Sequence, residues 1–161
     1  MTPNKSEVVP ASDREIVVTR VLDAPRELVW EAWIDPKQVE KWWGPKGFTT
    51  TVHEMEVKPG GVFRQTMHGP DGVDYPNESV FTEVLKPERI AFSLHGGKKG
   101  VPETHFKMIW TFEDQEGKTK VTIRQVYPTA ETRDHAVNAY GAIEGGKQTL
   151  ERLAEYLEKT T

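Results

Sequence analysis

The five histidines are the first candidates for chemistry, because imidazole is the usual general base and metal ligand near neutral pH. They are His53, His68, His95, His105 and His135. None forms a His-x-x-x-His or His-Glu-x-x-His pair, so the sequence carries no local zinc signature. His105 alternates with apolar residues and should face solvent, whereas His53 shares the parity of Met55 and Val57, which would turn it inward. We predict ordinary structural or surface histidines, with no metal and no cofactor.

Carboxylates on or near predicted strands are the second group: Glu54, Glu56, Glu78 and Glu83. A carboxyl group buried against a cavity has a raised pKa and can serve as a general acid or base. The alternative, which the pattern favours, is a surface strand whose carboxylates pair with a basic residue such as Arg64, Arg89 or Arg124. A serine–histidine–aspartate site assembles in space and cannot be read from this sequence. No catalytic residue is therefore assigned. Whether the chain is an enzyme stays open, and a function without catalysis is favoured.

Aromatic residues and methionines carry the main functional hypothesis. Strand parity places most of them on one face of their segments, with Gln65 and the hydroxyls of Tyr127 and Tyr140 as polar companions. Such a surface suits an apolar ligand held by one or two hydrogen bonds. The alternative is that the same side chains meet and fill the core. The predicted cavity wall is Trp33, Phe63, Gln65, Met67, Tyr75, Phe92, Leu94, Phe106, Met108, Trp110, Tyr127, Tyr140 and Ile143.

The elements that must position this wall follow from periodicity and turn residues. Residues 15–22 predict a strand. A short helix follows, with Pro25 in its first turn, until Asp35-Pro36 interrupts it, and a second short helix is predicted at about 37–43. Alternating segments then predict strands at 48–57, 62–68, 78–85, 89–95, 104–113 and 120–127. Short turns between them indicate an antiparallel meander. Residues 130–159 predict one long amphipathic helix in which Gly145-Gly146 permits a bend or close packing.

The long helix must lay its apolar stripe on the concave face of the sheet. The predicted fold is therefore α+β, a curved antiparallel sheet wrapped around a long C-terminal helix, with two short helices after the first strand. Residues 1–13 are polar and predict a flexible arm, and residues 14–161 predict a single domain. The glycine- and lysine-rich segment 96–100 lacks the ending of a phosphate-binding loop and is expected to be a hairpin loop.

Composition excludes several classes of function. The chain has 161 residues, no cysteine and a net charge of -4, so disulfides, thiolate chemistry and a nucleic-acid footprint are not expected. No apolar stretch approaches the roughly 20 residues of a membrane helix, and no secretory signal is evident. A cytoplasmic location is the default expectation. A homodimer is retained as one outcome, because homodimers are common.

Four of the five tryptophans lie in the segment 23–45, and this segment also carries a family resemblance. The chain resembles the START-like (SRPBCC) superfamily, which has the helix-grip fold of the birch pollen allergen. Within it, the chain is similar to bacterial proteins named after the C-terminal domain of the activator of heat shock protein 90 ATPase. The matching segments are 19–20, 24–25, 29–33, 35–36, 42–43, 57–61, 68–72, 83–84, 87–90 and 146–153, an ordered set that spans nearly the whole chain.

The resemblance implies a fold more strongly than a function, because the superfamily holds lipid and steroid carriers, polyketide cyclases and chaperone regulators. The first hypothesis is binding of a hydrophobic or aromatic small molecule between the sheet and the C-terminal helix. The second is a protein-interaction module, with a chaperone or another protein as partner, which would use segment 42–48 if Trp43 is exposed. The third is a cyclase- or hydrolase-type enzyme with a cavity carboxylate or histidine.

Overall fold

One antiparallel sheet forms the frame of the molecule. A computed structural model describes residues 6–96 and 104–160, apart from the side chains of residues 95, 96, 104, 140 and 160. The strands are β1 (Glu7–Val9), β2 (Glu15–Leu22), β3 (Thr49–Met55), β4 (Val62–His68), β5 (Asp74–Leu85), β6 (Arg89–Gly96), β7 (Thr104–Gln115) and β8 (Lys118–Val126). Their order across the sheet is β1-β2-β8-β7-β6-β5-β4-β3. The last six strands form the predicted meander, and β8 returns to pair with β2.

Helices cover the inner face of the curved sheet. Two short ones, α1 (Arg26–Ile34) and α2 (Pro36–Trp42), follow β2, and Asp35 both ends the first and caps the second by accepting from the backbone N–H of Lys37. The C-terminal helices are α3 (Ala130–Tyr140) and α4 (Ala142–Thr160). A capping box between Thr129 and Thr132 fixes the start of α3. The α+β helix-grip prediction is confirmed.

The predicted single C-terminal helix is interrupted, and the position of the interruption differs from expectation. Gly141 adopts a left-handed conformation (φ 62°, ψ 42°) that ends α3, a role glycine fills without steric cost. Gly145 and Gly146 lie inside α4 instead. A Cβ atom added at Gly146 would stand 3.4 Å from Val18 Cγ2, and one added at Gly145 would stand 3.6 Å from Pro45 Cγ, so Gly146 packs against β2 and Gly145 packs against the loop after α2.

Two local features of the sheet were not predicted. Residues 7–9 form a short edge strand on β2, and the hydroxyl of Ser6 donates to the carbonyl of Lys147 in α4. In β3 a bulge lies between Val52 and Glu54 and reverses the side-chain parity beyond it. His53 is therefore exposed on the outer face, and the expectation that it faces inward is wrong.

A dense aromatic cluster fills one end of the space between helices and sheet. Trp33 has no exposed surface and lies at its centre, with neighbouring ring centroids 5.6–6.1 Å away. Most of these pairs are edge-to-face or tilted, the arrangement that favours aromatic quadrupoles. The nitrogen of Trp42 donates to the carbonyl of Ala32 at 3.1 Å and ties α2 to α1. We call this set the aromatic cluster: Trp33, Trp42, Trp43, Phe63, Phe81, Phe92 and Trp110.

Candidate functional site

Beyond the aromatic cluster, the helices and the sheet separate and leave a cavity of about 190 Å³. Strands β4 to β8 form its floor, α3 and α4 form its roof, and the loop after α2 closes the side. Its surface is mostly apolar. The lining residues are Trp43, Gly44, Pro45, Gln65, Met67, Tyr75, Asn77, Leu94, Phe106, Met108, Trp110, Ile123, Gln125, Tyr127, Ala136, Ala142, Gly145, Gly146 and Thr149.

Most of the predicted wall residues line this cavity. They are Gln65, Met67, Tyr75, Leu94, Phe106, Met108, Trp110 and Tyr127. Strand alternation places them on the concave face, as parity predicted. Phe106 and Tyr127 stack with centroids 4.8 Å apart and together form the wall at the β7–β8 end. Tyr75 lies within β5, because this strand begins at Asp74 and not at residue 78 as predicted.

Several predicted wall residues lie elsewhere. Trp33, Phe63 and Phe92 are buried in the aromatic cluster and do not reach the cavity, because the rings around them close that end completely. Ile143 packs against the core beside the cavity but does not line it. The side chain of Tyr140 and the loop residues 97–100 are outside the part that the structure describes.

Sequence reasoning missed the wall residues Asn77, Ile123, Gln125 and Thr149, and it missed two further kinds of wall residue. The first is the loop Trp43-Gly44-Pro45, which the tryptophan density of its segment could have indicated. The second is a set of small residues on the two C-terminal helices, which have no side-chain signal of their own. They are Ala136, Ala142, Gly145 and Gly146. Small side chains keep the roof thin, so the space opposite them stays open.

Arg152 of α4 holds the loop wall in place. Its Nη1 donates to the carbonyl oxygens of Trp43 at 2.9 Å, Gly44 at 3.1 Å and Pro45 at 3.1 Å. Its Nη2 donates to the carbonyl of Lys41 at 3.3 Å, near the end of α2. Burial lowers the pKa of Arg152, although a guanidinium remains charged at neutral pH. One side chain thus satisfies the carbonyls at this helix end and fixes the loop.

Four polar side chains on the cavity wall already have hydrogen-bond partners. The hydroxyl of Tyr127 donates to Gln125 Oε1 at 2.6 Å, and burial raises the pKa of this tyrosine. Asn77 Nδ2 donates to the carbonyl of Tyr75, and the hydroxyl of Thr149 donates to the carbonyl of Gly145. These contacts are internal to the wall.

Gln65 is the exception. It is 1% exposed, and both its Oε1 and its Nε2 lack a hydrogen-bond partner in the described part of the protein. The indole nitrogen of Trp110 is likewise buried and unpartnered there. A buried polar atom without a partner costs about 1–3 kcal/mol, so such atoms are rare in folded proteins. Two residues that line the cavity therefore carry unpartnered polar atoms, the amide of Gln65 and the indole N–H of Trp110.

Among the described residues, the only ionisable acid–base groups on the cavity wall are the two tyrosines, Tyr75 and Tyr127. The candidate carboxylates occupy the outer surface instead. Glu54 pairs with Arg64 at 3.2 Å, Glu83 pairs with Arg89 at 3.2 Å, and Glu56 pairs with Lys58. The surface-strand interpretation is confirmed for these three. The described residues also contain no cluster of three or more histidine or carboxylate side chains able to hold a metal ion.

A hydroxyl–imidazole–carboxylate chain does form on the outer face of the sheet. His68 Nε2 lies 2.8 Å from the hydroxyl of Thr51, and His68 Nδ1 lies 2.8 Å from Asp74 Oδ1. The groups follow the order of a serine–histidine–aspartate catalytic triad, with threonine as the hydroxyl. However, Thr51 and Asp74 are exposed on a sheet face opposite the cavity, with no wall to hold a substrate. These three hydrogen-bonded side chains are better explained as a cross-strand network that joins β3, β4 and β5.

Trp43 does not form an exposed interaction patch. It is 5% exposed, and its ring stacks on Trp110 with centroids 5.7 Å apart. The condition for using segment 42–48 as a docking surface is therefore not met. No described helix is long and apolar enough to cross a membrane.

Comparison with known proteins places the chain in a family. The family model described as Activator of Hsp90 ATPase homolog 1-like protein matches residues 23–158. The chain belongs to this family. Its fold is that of the START-like (SRPBCC) superfamily, which confirms the resemblance. Within the superfamily, members of this kind typically bind ligands in a cavity.

Solved structures of similar proteins share the fold. Protein Ms6760 from Mycobacterium smegmatis is 28% identical, with a TM-score of 0.83 over 96% of this chain and 97% of that one. A protein from Arthrobacter aurescens is 24% identical, with a TM-score of 0.87 over 95% of this chain and 91% of that one. A protein from Rhodobacter sphaeroides is 23% identical, with a TM-score of 0.83 over 96% and 99%. A search of curated proteins found no match.

Proposed function

We propose that this chain binds a hydrophobic or aromatic small molecule in the cavity between the sheet and the C-terminal helices. The observation that carries the proposal is an apolar cavity of about 190 Å³ whose wall contains the unpartnered amide of Gln65. We also infer that residues 14–161 form one ligand-binding domain, to which β1 adds an edge strand, and that the protein acts in the cytoplasm.

The size of the cavity sets the size of the ligand. A dry cavity of about 150 Å³ holds a benzene molecule. A cavity of about 190 Å³ therefore accommodates one ring with a small substituent. The rings of Trp43, Phe106, Trp110 and Tyr127 line the cavity and provide apolar contacts for such a ring. Met67 and Met108 add adaptable contacts.

The alternatives lack the features that would favour them. An enzyme of cyclase or hydrolase type would need a carboxyl or imidazole group on the wall, and the described wall has neither. A protein-interaction module would be favoured by an exposed Trp43, and this residue is buried. Binding without chemistry is the function that the wall supports best.

Native mass spectrometry of the purified chain, followed by organic extraction, tests the proposal. We expect a co-purifying small molecule at up to one equivalent, released on denaturation. Ala136→Phe fills the cavity from α3 and should abolish its retention. Ala139→Phe places the same ring on an exposed position of the same helix and should not.

The same variants make a negative first result informative. If the native protein carries no ligand, a panel of single-ring compounds is titrated against all three proteins. Binding to the native chain and to Ala139→Phe, but not to Ala136→Phe, supports the proposal. Equal binding to all three, or binding to none, contradicts it.

A further inference from the structure

We propose that the ligand is an uncharged ring compound that carries an adjacent hydrogen-bond acceptor and donor, as in a carboxamide, lactam or imide. It pairs with the carboxamide of Gln65 through two hydrogen bonds. This inference rests on the proposed function and narrows it to a chemical class.

The chemistry of the carboxamide gives the complement. Gln65 offers one acceptor oxygen and one NH₂ donor side by side, and neither has a partner in the described structure. A ligand group that satisfies both must itself present a donor next to an acceptor. An O=C–N–H unit in the cis arrangement does this in one plane, and an alcohol, ether or ketone cannot do it in the same two-bond geometry.

Gln65 is set apart from its polar neighbours on the wall. Asn77, which is its cross-strand partner in β5, donates to a backbone carbonyl. Gln125 accepts from Tyr127 at 2.6 Å. A glutamine that is 1% exposed and unpaired is a local cost that the fold bears, and a ligand that supplies the missing partners removes it.

The wall also selects against charge. The described lining residues contain no lysine, arginine, aspartate or glutamate. An ionised carboxylate or ammonium placed there would lose its hydration without gaining a counter-ion, which is a large cost. The neutral amide therefore binds, and the carboxylate of the same size does not.

Isothermal titration calorimetry of the full chain with four matched single-ring probes tests the inference. The probes are benzamide, N,N-dimethylbenzamide, sodium benzoate and toluene. We expect benzamide to bind at least about tenfold more tightly than N,N-dimethylbenzamide, which keeps the acceptor and lacks the donor. Benzoate should show no binding at neutral pH, and toluene should bind through apolar contact alone.

Variants at Gln65 assign the preference to this residue. Gln65→Leu has similar volume and removes both polar atoms, so benzamide should bind about tenfold more weakly while toluene changes by less than about threefold. Gln65→Met is a second isosteric variant in case the leucine disturbs folding. Gln115→Leu makes the same change at an exposed position of β7 and should leave all four affinities unchanged.

The outcomes separate the inference from the function on which it rests. If toluene binds and benzamide shows neither preference nor sensitivity to Gln65→Leu, the inference is overturned and the binding function stands. If benzoate binds as tightly as benzamide, the charge argument fails and the inference is again overturned. If none of the four probes binds, the inference and the proposed function both fail.

Discussion

The two ends of the space between sheet and helices are built on opposite principles. At one end the aromatic cluster packs rings against rings, with Trp33, Phe63 and Trp42 almost without exposed surface. At the other end, Met67, Met108 and Leu94 face glycines and alanines of the helices and leave about 190 Å³ empty. The same sheet supplies both floors. The difference lies in the size of the side chains above it.

The comparison indicates that the two ends of one core have different roles: the aromatic cluster stabilises the fold, and the cavity stays open. Large, rigid rings bury the most apolar area per residue and can stabilise the fold with few elements. The open end then need not be filled, and it can retain costs such as an unpaired Gln65. Natural proteins tolerate such local costs at functional sites when the rest of the structure supports them.

Truncation should cost most in the aromatic cluster. Trp33→Ala removes a fully buried ring and should lower the free energy of unfolding by about 3–5 kcal/mol. Met108→Ala borders a space that is already empty, so we expect a loss of only about 1 kcal/mol. Urea denaturation followed by fluorescence measures both. Equal losses for the two variants would remove the distinction between a packed and a hollow end.

Replacing Arg152 should lower the free energy of unfolding more than replacing an ordinary surface arginine, because Arg152 supports the loop between the aromatic cluster and the cavity. Arg152→Met leaves the carbonyls of residues 41, 43, 44 and 45 without this donor and should lower the free energy of unfolding by about 2–3 kcal/mol. It should also weaken ligand binding, since Trp43 and Pro45 line the cavity.

Arg124→Met is the matched control. Arg124 makes an ion pair with Glu15 at 3.0 Å on the partly exposed sheet face, and such pairs contribute about 0–1 kcal/mol. A similar loss for both arginine variants would show that the carbonyl contacts of Arg152 do not hold the loop.

The two buried glutamines of the wall should respond in opposite directions. Gln65→Leu removes unpaired polar atoms and should raise the free energy of unfolding of the ligand-free protein by about 1 kcal/mol. Gln125→Leu takes the acceptor from the hydroxyl of Tyr127 and should lower it by about 1–2 kcal/mol. Thermal and urea unfolding of both variants measure this, and destabilisation by Gln65→Leu would mean that Gln65 has a partner in solution.

Alkaline pH should lower the free energy of unfolding through Tyr127, which lines the cavity. Burial raises the pKa of this phenol in the folded state, whereas the unfolded chain ionises near pH 10. The unfolded state therefore releases the proton first, and the free energy of unfolding should fall as pH rises above about 10. Below that pH the contribution of this group is constant.

Comparison with Tyr127→Phe isolates this effect from the other tyrosines. The difference in free energy of unfolding between the native chain and the variant should be constant from pH 7 to about 9. It should then shrink by up to about 1 kcal/mol per pH unit. A difference that stays constant up to pH 11 would place Tyr127 in contact with water.

Sequence periodicity was sufficient for the frame of the fold. Alternation located the strands of the meander and the concave face, including Gln65, Met67 and Met108, because successive side chains of a strand point to opposite faces of the sheet. Turn residues and Asp35-Pro36 located the short helices. These signals are local, so a single sequence contains them.

Features that depend on packing between distant segments could not be read in this way. The bulge beside His53 reverses parity without a local marker, and the C-terminal helix breaks at Gly141 although Gly145-Gly146 is the stronger local signal. Nor could the sequence show where the packed part of the core ends and the cavity begins. That boundary depends on which side chains meet across the molecule. It leaves Trp33 in the aromatic cluster and Gln125 on the cavity wall.

A crystal structure under xenon pressure would show whether this end of the core is empty, because xenon enters apolar cavities and does not enter filled cores. We predict a xenon atom between the sheet and the C-terminal helices, in contact with Leu94, Met108 and Ile123, and none among the rings around Trp33. A structure in which side chains close this space and no xenon binds there would show that the protein has no such cavity.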